Sequence, residues 1–152
     1  RSWRVPVVAR AGPTVLREIR VATLKTYGIE AQLGPKHPDP QALEAAIAEA
    51  ARPWVEAPDG NSMVVLRRAL EGFDTTGDFA RIRAKVLYVL SRTDRLFPPA
   101  IAPQVMQAMR TAGIDARYFE IDSELGHLAS GPEGDKWGPT LRSFMAELTV
   151  GN

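Results

Sequence analysis

Apolar residues in the first half of the chain recur at helical spacing. The pattern predicts a helix over Thr14–Thr26, opened by the breaker Ala9-Arg10-Ala11-Gly12-Pro13 and closed by Tyr27-Gly28. Gly34-Pro35-Lys36-His37-Pro38-Asp39-Pro40 reads as a loop. Asp39 can cap the next helix, and Pro40 suits its first turn, where an N–H would have no partner. Leu43, Ala46, Ile47, Ala50 and Trp54 then form one apolar stripe. After the turn Ala57-Pro58-Asp59-Gly60, Asn61 or Ser62 is the expected cap of a helix reaching Phe73, with Met63, Leu66, Leu70 and Phe73 on one side. Before residue 80 only the short stretch Val5–Ala9 has strand character.

The second half changes period. Val86–Leu90 is an unbroken apolar run, the pattern of a strand covered on both faces of a parallel sheet. The loop Ser91–Pro99 leads into a helix with Ile101, Val105, Ala108, Met109 and Ala112 on one stripe, ended by Gly113. Ala116–Ile121 is the next strand. A last helix carries Trp137, Leu141, Phe144, Met145 and Leu148 in register. Strand, helix, strand, helix makes a right-handed crossover unit, so the fold class is α/β with a parallel sheet. Two strands do not make a stable parallel sheet, because its faces and edges need covering. Either residues 1–80 hold strands that the pattern does not reveal or the chain is part of a larger molecule. The second is expected, with a helical segment over residues 1–80 and part of an α/β core over residues 81–152.

Composition narrows the partners. The 152 residues are 45% hydrophobic and 24% charged, which suits a packed domain and not a disordered one. Lys and Arg number 19 against 18 acids, so the charge of +1 gives no reason to expect nucleic acid or an anionic membrane surface as partner. Basic residues are concentrated at the start: Arg1, Arg4, Arg10, Arg17, Arg20 and Lys25 face only Glu18 within residues 1–26. That flank reads as a solvated or docking surface, with binding of an acidic ligand as the alternative. The absence of cysteine excludes disulfides, a thiol nucleophile and thiolate zinc sites, and two histidines argue against a multi-histidine metal centre. No run approaches the ~20 apolar residues that span a bilayer. Arg4 and Arg10 bracket a stretch too short for a signal-peptide core, so the expected compartment is the cytoplasm.

In open α/β sheets, working residues sit on loops beyond the carboxyl ends of strands. Asp94 lies four residues after Leu90, and His127 lies six after Ile121. Adjacent parallel strands would bring these loops side by side. A carboxylate there can accept the Nδ1–H of the imidazole, fix its tautomer and stabilise the imidazolium formed when Nε2 takes a proton. Gly126 would let the backbone turn tightly beside the ring. Singly, Asp94 reads as a turn or cap residue and His127 as a structural histidine; their joint placement makes the pair the candidate site. His37, in a proline-rich loop without a partner pattern, reads as structural. A phospho-accepting receiver domain would need an acidic pair and a later lysine that are missing, and a dinucleotide-binding domain would need a G-x-G-x-x-G that is also missing.

The wording of these loops is more specific than their spacing. Thr93-Asp94-Arg95-Leu96-Phe97-Pro98-Pro99, Ala112-Gly113-Ile114-Asp115-Ala116-Arg117-Tyr118 and Ile121-Asp122-Ser123-Glu124-Leu125-Gly126-His127 resemble the C-terminal end of homoserine O-acetyltransferases, enzymes of the α/β-hydrolase fold. The resemblance covers roughly residues 83–132 and extends more weakly to Gly60-Asn61-Ser62 and Phe73-Asp74, which resemble the segment leading out of the family's lid. It implies a helical lid segment over residues 1–80 and the C-terminal part of an α/β-hydrolase core, its last two β-α units, over residues 81–152. It also implies Asp94 as the acid and His127 as the base of a catalytic triad, acetyl-CoA as acyl donor, and no metal.

This sequence departs from the family pattern twice. The family's serine sits before the acid, at a G-x-S-x-G-type elbow. None of Ser2, Ser62, Ser91, Ser123, Ser130 and Ser143 has that setting, so the nucleophile is expected outside this chain, in an N-terminal part of the same protein or in a second chain. The family's usual aspartate after the histidine is Leu128 here. That puts homoserine in question as acceptor and brings forward a related esterase. An inert fragment or interaction half is the non-catalytic alternative, and a homodimer is a further candidate assembly.

Overall fold

The computed structural model describes residues 12–55 and 60–149. The stretch Val5–Ala9 and most of the turn before Gly60 lie outside them.

Three helices pack together first. Helix α1 (Pro13–Tyr27) begins with proline in its first turn and ends at Gly28, whose left-handed φ of 94° lets the chain reverse into α2 (Ile29–Leu33). A 3-10 turn over Gly34–Lys36 leads to α3 (Pro40–Val55). As the sequence predicts, Asp39 caps α3: its Oδ2 accepts the N–H of Ala42 at 2.8 Å. Leu24, Ile29, Ile47 and Ala51 form the core of this group, with Val21, Leu33 and Leu43 packed around them. The buried step on α3 is Ile47 to Ala51, one turn apart, and Ala50 faces outward instead. Lys25 ties α1 to α3 through Glu44 at 2.6 Å.

Helix α4 (Gly60–Glu71) departs from expectation. It starts at Gly60, so Asn61 and Ser62 lie inside its first turn, not ahead of it, and it stops two residues short of Phe73. The predicted stripe is present, but Leu66 is 64% exposed, Leu70 67% and Phe73 70%. Amphipathic spacing fixes which residues share a face, not whether a partner covers it.

A 3-10 turn over Thr76–Arg81 leads into β1 (Val86–Ser91), followed by α5 (Ala102–Thr111), β2 (Ala116–Ile121) and α6 (Gly134–Thr149). β1 and β2 pair in parallel, Val86 opposite Ala116 and Ser91 opposite Ile121. The described residues contain this two-stranded sheet and no other strand. α5 covers one face: Met106, Met109 and Ile114 pack with Val86, Tyr88 and Ala116. Met106, absent from the predicted stripe, is a buried anchor of that contact. α6 reaches the other face, where Arg117 of β2 pairs with Glu147. Val86 to Val89 are half-buried, less covered than a doubly enclosed strand. No described helix is long and apolar enough to cross a membrane.

Ile47 is fully buried, so Ile47→Ala should lower unfolding free energy by about 2–5 kcal/mol in urea titrations. Leu66→Ser, on the uncovered face of α4, should change it by less than about 0.5 kcal/mol in the isolated chain.

Candidate functional site

The register of the sheet builds the site. Because Ser91 faces Ile121, the chain leaves both strands at the same level, and Arg92 N–H donates to the Ile121 carbonyl at 3.0 Å, one residue beyond the ladder. The Arg92 side chain then reaches Asp122 at 2.7 Å and also Glu124. Thr93 Oγ1 donates to the Ser123 carbonyl at 2.8 Å and accepts the Gly126 N–H at 3.1 Å. Asp94 completes the series: its Oδ2 lies 2.9 Å from Nδ1 of His127. Three consecutive residues on one loop thus engage successive parts of the other.

Asp94 is 7% exposed. Its Oδ1 accepts the N–H groups of Leu96 at 2.7 Å and Phe97 at 3.0 Å. Burial pushes its pKa up, but the Phe97 N–H, the His127 ring and the Leu96 N–H together outweigh it and hold the carboxyl below the ordinary range. An ionised carboxylate only accepts hydrogen bonds, so Nδ1 of His127 must carry the proton between them, which leaves Nε2 as the nitrogen with a free lone pair in the neutral ring.

The imidazole is held by shape as well as charge. It packs against the rings of Tyr27, with centroids 4.7 Å apart, and of Phe97, at 5.6 Å. Gly126 has φ +57°, and a Cβ there would fall 2.8 Å from the Tyr27 carbonyl oxygen. The expected role of that glycine in the turn is thus joined by a second, close contact with the end of α1. Gly28 answers it: a Cβ there would sit 2.9 Å from the Leu125 carbonyl oxygen. Leu128, next to the histidine, packs into the Leu24–Ile29–Ile47–Ala51 core. Arg20 on α1 lies over the rings of Tyr27 at 5.9 Å and Trp54 at 5.4 Å.

Beneath the pair is a cavity of about 170 Å³, lined by Asp94, His127, Leu90, Ser91, Ser130 and Trp137. Ser91 is a residue of β1 itself and Ser130 follows the histidine turn, so neither occupies a strand-to-helix elbow. His37 stays with the 3-10 turn after α2, its N–H donating to the Leu33 and Gly34 carbonyls. Among the described residues no group of three or more His, Asp or Glu is placed to hold a metal ion. Sequence spacing brought Asp94 and His127 together. It did not single out Tyr27, which reads there only as a helix end, or Arg20, which reads as one charge of a basic flank.

No family model matches the chain. The homoserine O-acetyltransferase of Methanococcus vannielii is 34% identical over 100 residues, 62% of this chain and 20% of that protein. The serine O-succinyltransferase of Stenotrophomonas maltophilia is 33% identical over 115 residues, 70% of this chain and 31% of that protein. The chain therefore spans about a fifth to a third of the length of these curated relatives. Among solved structures, esterase E22 superposes with a TM-score of 0.70 at 19% identity, over 87% of this chain and 42% of that one. A leucine-to-aspartate variant of the same esterase gives 0.69 at 18%. The fold is that of part of an α/β-hydrolase, and the chain is a relative in that superfamily, related to the homoserine and serine O-acyltransferases.

Since the folded-state pKa of Asp94 lies below its unfolded value, its ionisation stabilises the native state above an unfolded carboxyl pKa of about 3.9 and that contribution fades as pH falls through the folded value. The stability gap between wild type and Asp94→Asn should accordingly narrow as urea titrations are taken from about pH 6 down toward pH 3. A gap independent of pH would mean that the carboxylate charge is not what holds the loops.

Proposed function

We propose that this chain supplies the acid and base of a serine-type acyl-transfer centre, Asp94 orienting His127 and His127 moving the protons. The observation that carries this reading is the 2.9 Å contact between Asp94 Oδ2 and His127 Nδ1 at the ends of adjacent parallel strands. The nucleophilic serine belongs, on this reading, to polypeptide outside the 152 residues: an N-terminal part of the same protein, this chain forming its C-terminal portion, or a second chain. Residues 1–80 act as lid and 81–152 as part of the catalytic core.

The chemistry follows from those roles. Nε2 of His127 accepts the serine Oγ proton as Oγ bonds to the acyl carbonyl carbon, and the resulting imidazolium is stabilised by the Asp94 carboxylate. Collapse of the tetrahedral adduct expels the donor's leaving group, which takes the proton back from Nε2. A thioester such as acetyl-CoA, the donor implied by the resemblance to homoserine O-acetyltransferases, leaves as the free thiol. In the second half Nε2 takes a proton from the acceptor hydroxyl, the acyl group passes to that oxygen, and serine is reprotonated.

Arg20 supports an amino-acid acceptor of the kind named in the relatives homoserine O-acetyltransferase and serine O-succinyltransferase. Its guanidinium lies on Tyr27, which itself lies on His127, and its buried Nε has no hydrogen-bond partner among the described residues. A guanidinium so placed suits an acceptor carboxylate. Leu128 favours a second reading, an esterase with water as acceptor. Its side chain is spent on the lid core, where an aspartate would bury a charge, so this position offers no anion to an acceptor ammonium.

Assayed in the serine-bearing protein with acetyl-CoA, homoserine and a generic ester in parallel, Asp94→Asn should lower turnover by about 10⁴-fold while the fold persists. A loss under tenfold would remove Asp94 from the mechanism. Arg20→Ala should raise KM for a carboxylate-bearing acceptor by about 10- to 100-fold, as a charged hydrogen bond worth ~1.5–3 kcal/mol predicts. If it affects a neutral ester equally, the amino-acid acceptor loses its support and the esterase reading gains.

A further inference from the structure

We infer that Thr93 is a positioning residue for the proposed acyl transfer, acting through the hydroxyl that latches the histidine loop onto the aspartate loop. The inference rests on the Asp94–His127 reading and extends it to a residue that touches neither substrate nor the reacting nitrogen.

Thr93 Oγ1 uses both of its capacities across the gap. It donates to the Ser123 carbonyl at 2.8 Å and accepts from the Gly126 N–H at 3.1 Å. The two groups it engages bracket the turn that delivers the imidazole, and Gly126 is the residue immediately before His127. The other ties at this end are Lys136 Nζ, an exposed side chain that donates to the Asp122 carbonyl at 2.8 Å, and Ser123 Oγ, which accepts the Leu125 N–H at 2.9 Å within the turn and hydrogen-bonds the Glu133 side chain. Neither engages Gly126 or crosses to the aspartate loop. The ion pairs of Arg92 with Asp122 and Glu124 lie on solvent-exposed side chains and are weak restraints in water. Gly126 is buried, so its N–H has no water to replace a lost oxygen acceptor. Thr93 also precedes Asp94, so a single residue fixes the base of the carboxylate and the base of the ring at once.

The consequence is geometric. With the hydroxyl removed, the turn at Gly126 is freed to shift, and the Nδ1–Oδ2 contact that sets the tautomer opens. A displacement of about 1 Å at a catalytic group costs on the order of 10²-fold in rate. The substrate-contacting surfaces are untouched, so the loss falls on kcat and leaves KM nearly unchanged.

The test compares Thr93→Val, which keeps the shape and removes the hydroxyl, with Thr93→Ser, which keeps the hydroxyl. In the serine-bearing protein, T93V should lose about 10²-fold in kcat, and T93S should recover most of it. In the 152-residue chain, amide hydrogen exchange at Gly126 should speed up in T93V and stay slow in T93S. Wild-type turnover in T93V, or T93S as impaired as T93V, overturns the inference. Should T93V fail to fold, Thr93→Ala against T93S gives the same contrast. Asp94→Asn, run alongside, separates the failures. If D94N falls and T93V does not, Thr93 is not a positioning residue. If D94N keeps wild-type turnover, the dyad reading fails first, whatever Thr93 does.

Discussion

Asp94 carries a negative charge at a position almost closed to water, and the surroundings are arranged to make that charge tolerable. A buried carboxylate without partners would be strongly destabilising. Here one oxygen takes two backbone N–H groups from its own loop and the other faces the imidazole of the neighbouring loop. The local partners hold the carboxylate in place before the histidine is considered. The strand register supplies this geometry, since parallel pairing in step brings both loops out at the same height.

The N-terminal helices are joined to this centre through the histidine turn. Gly28 and Gly126 let two backbones meet where any side chain would hold them apart, and Tyr27 is carried onto the imidazole by that approach. Leu128 fixes the far side of the same turn in the helical core. The ring is therefore oriented jointly by the sheet and by α1. Changes at the end of α1 are transmitted to the imidazole through direct contact, and Arg20, two turns before Tyr27 on the same helix, lies over the Tyr27 ring.

Much of this was readable from the residue pattern, for physical reasons. The β2 boundaries, the Asp39 cap and the glycine stops after Tyr27 and Ala112 follow from local rules that tertiary context seldom overturns. The meeting of Asp94 and His127 was legible because parallel strands joined by a crossover put their following loops on one edge. Burial was not legible in the same way. The stripe of α4 has the period of a packed face yet stands exposed, and on α3 the choice between Ala50 and Ala51 depended on where α1 lies across it. Tyr27, Phe97 and Thr93 reach the site by close approach in space, and each looks locally like a helix end, a loop apolar residue or a turn hydroxyl.

The central claim is that the folded protein fixes the proton of His127 on Nδ1 by means of the Asp94 carboxylate. Nitrogen-15 NMR of the labelled imidazole, at a pH where the ring is neutral, reads this directly. The account predicts a protonated Nδ1 and a bare Nε2 in the wild-type protein. A ring bearing its proton on Nε2, or exchanging between tautomers as free histidine does, would contradict it.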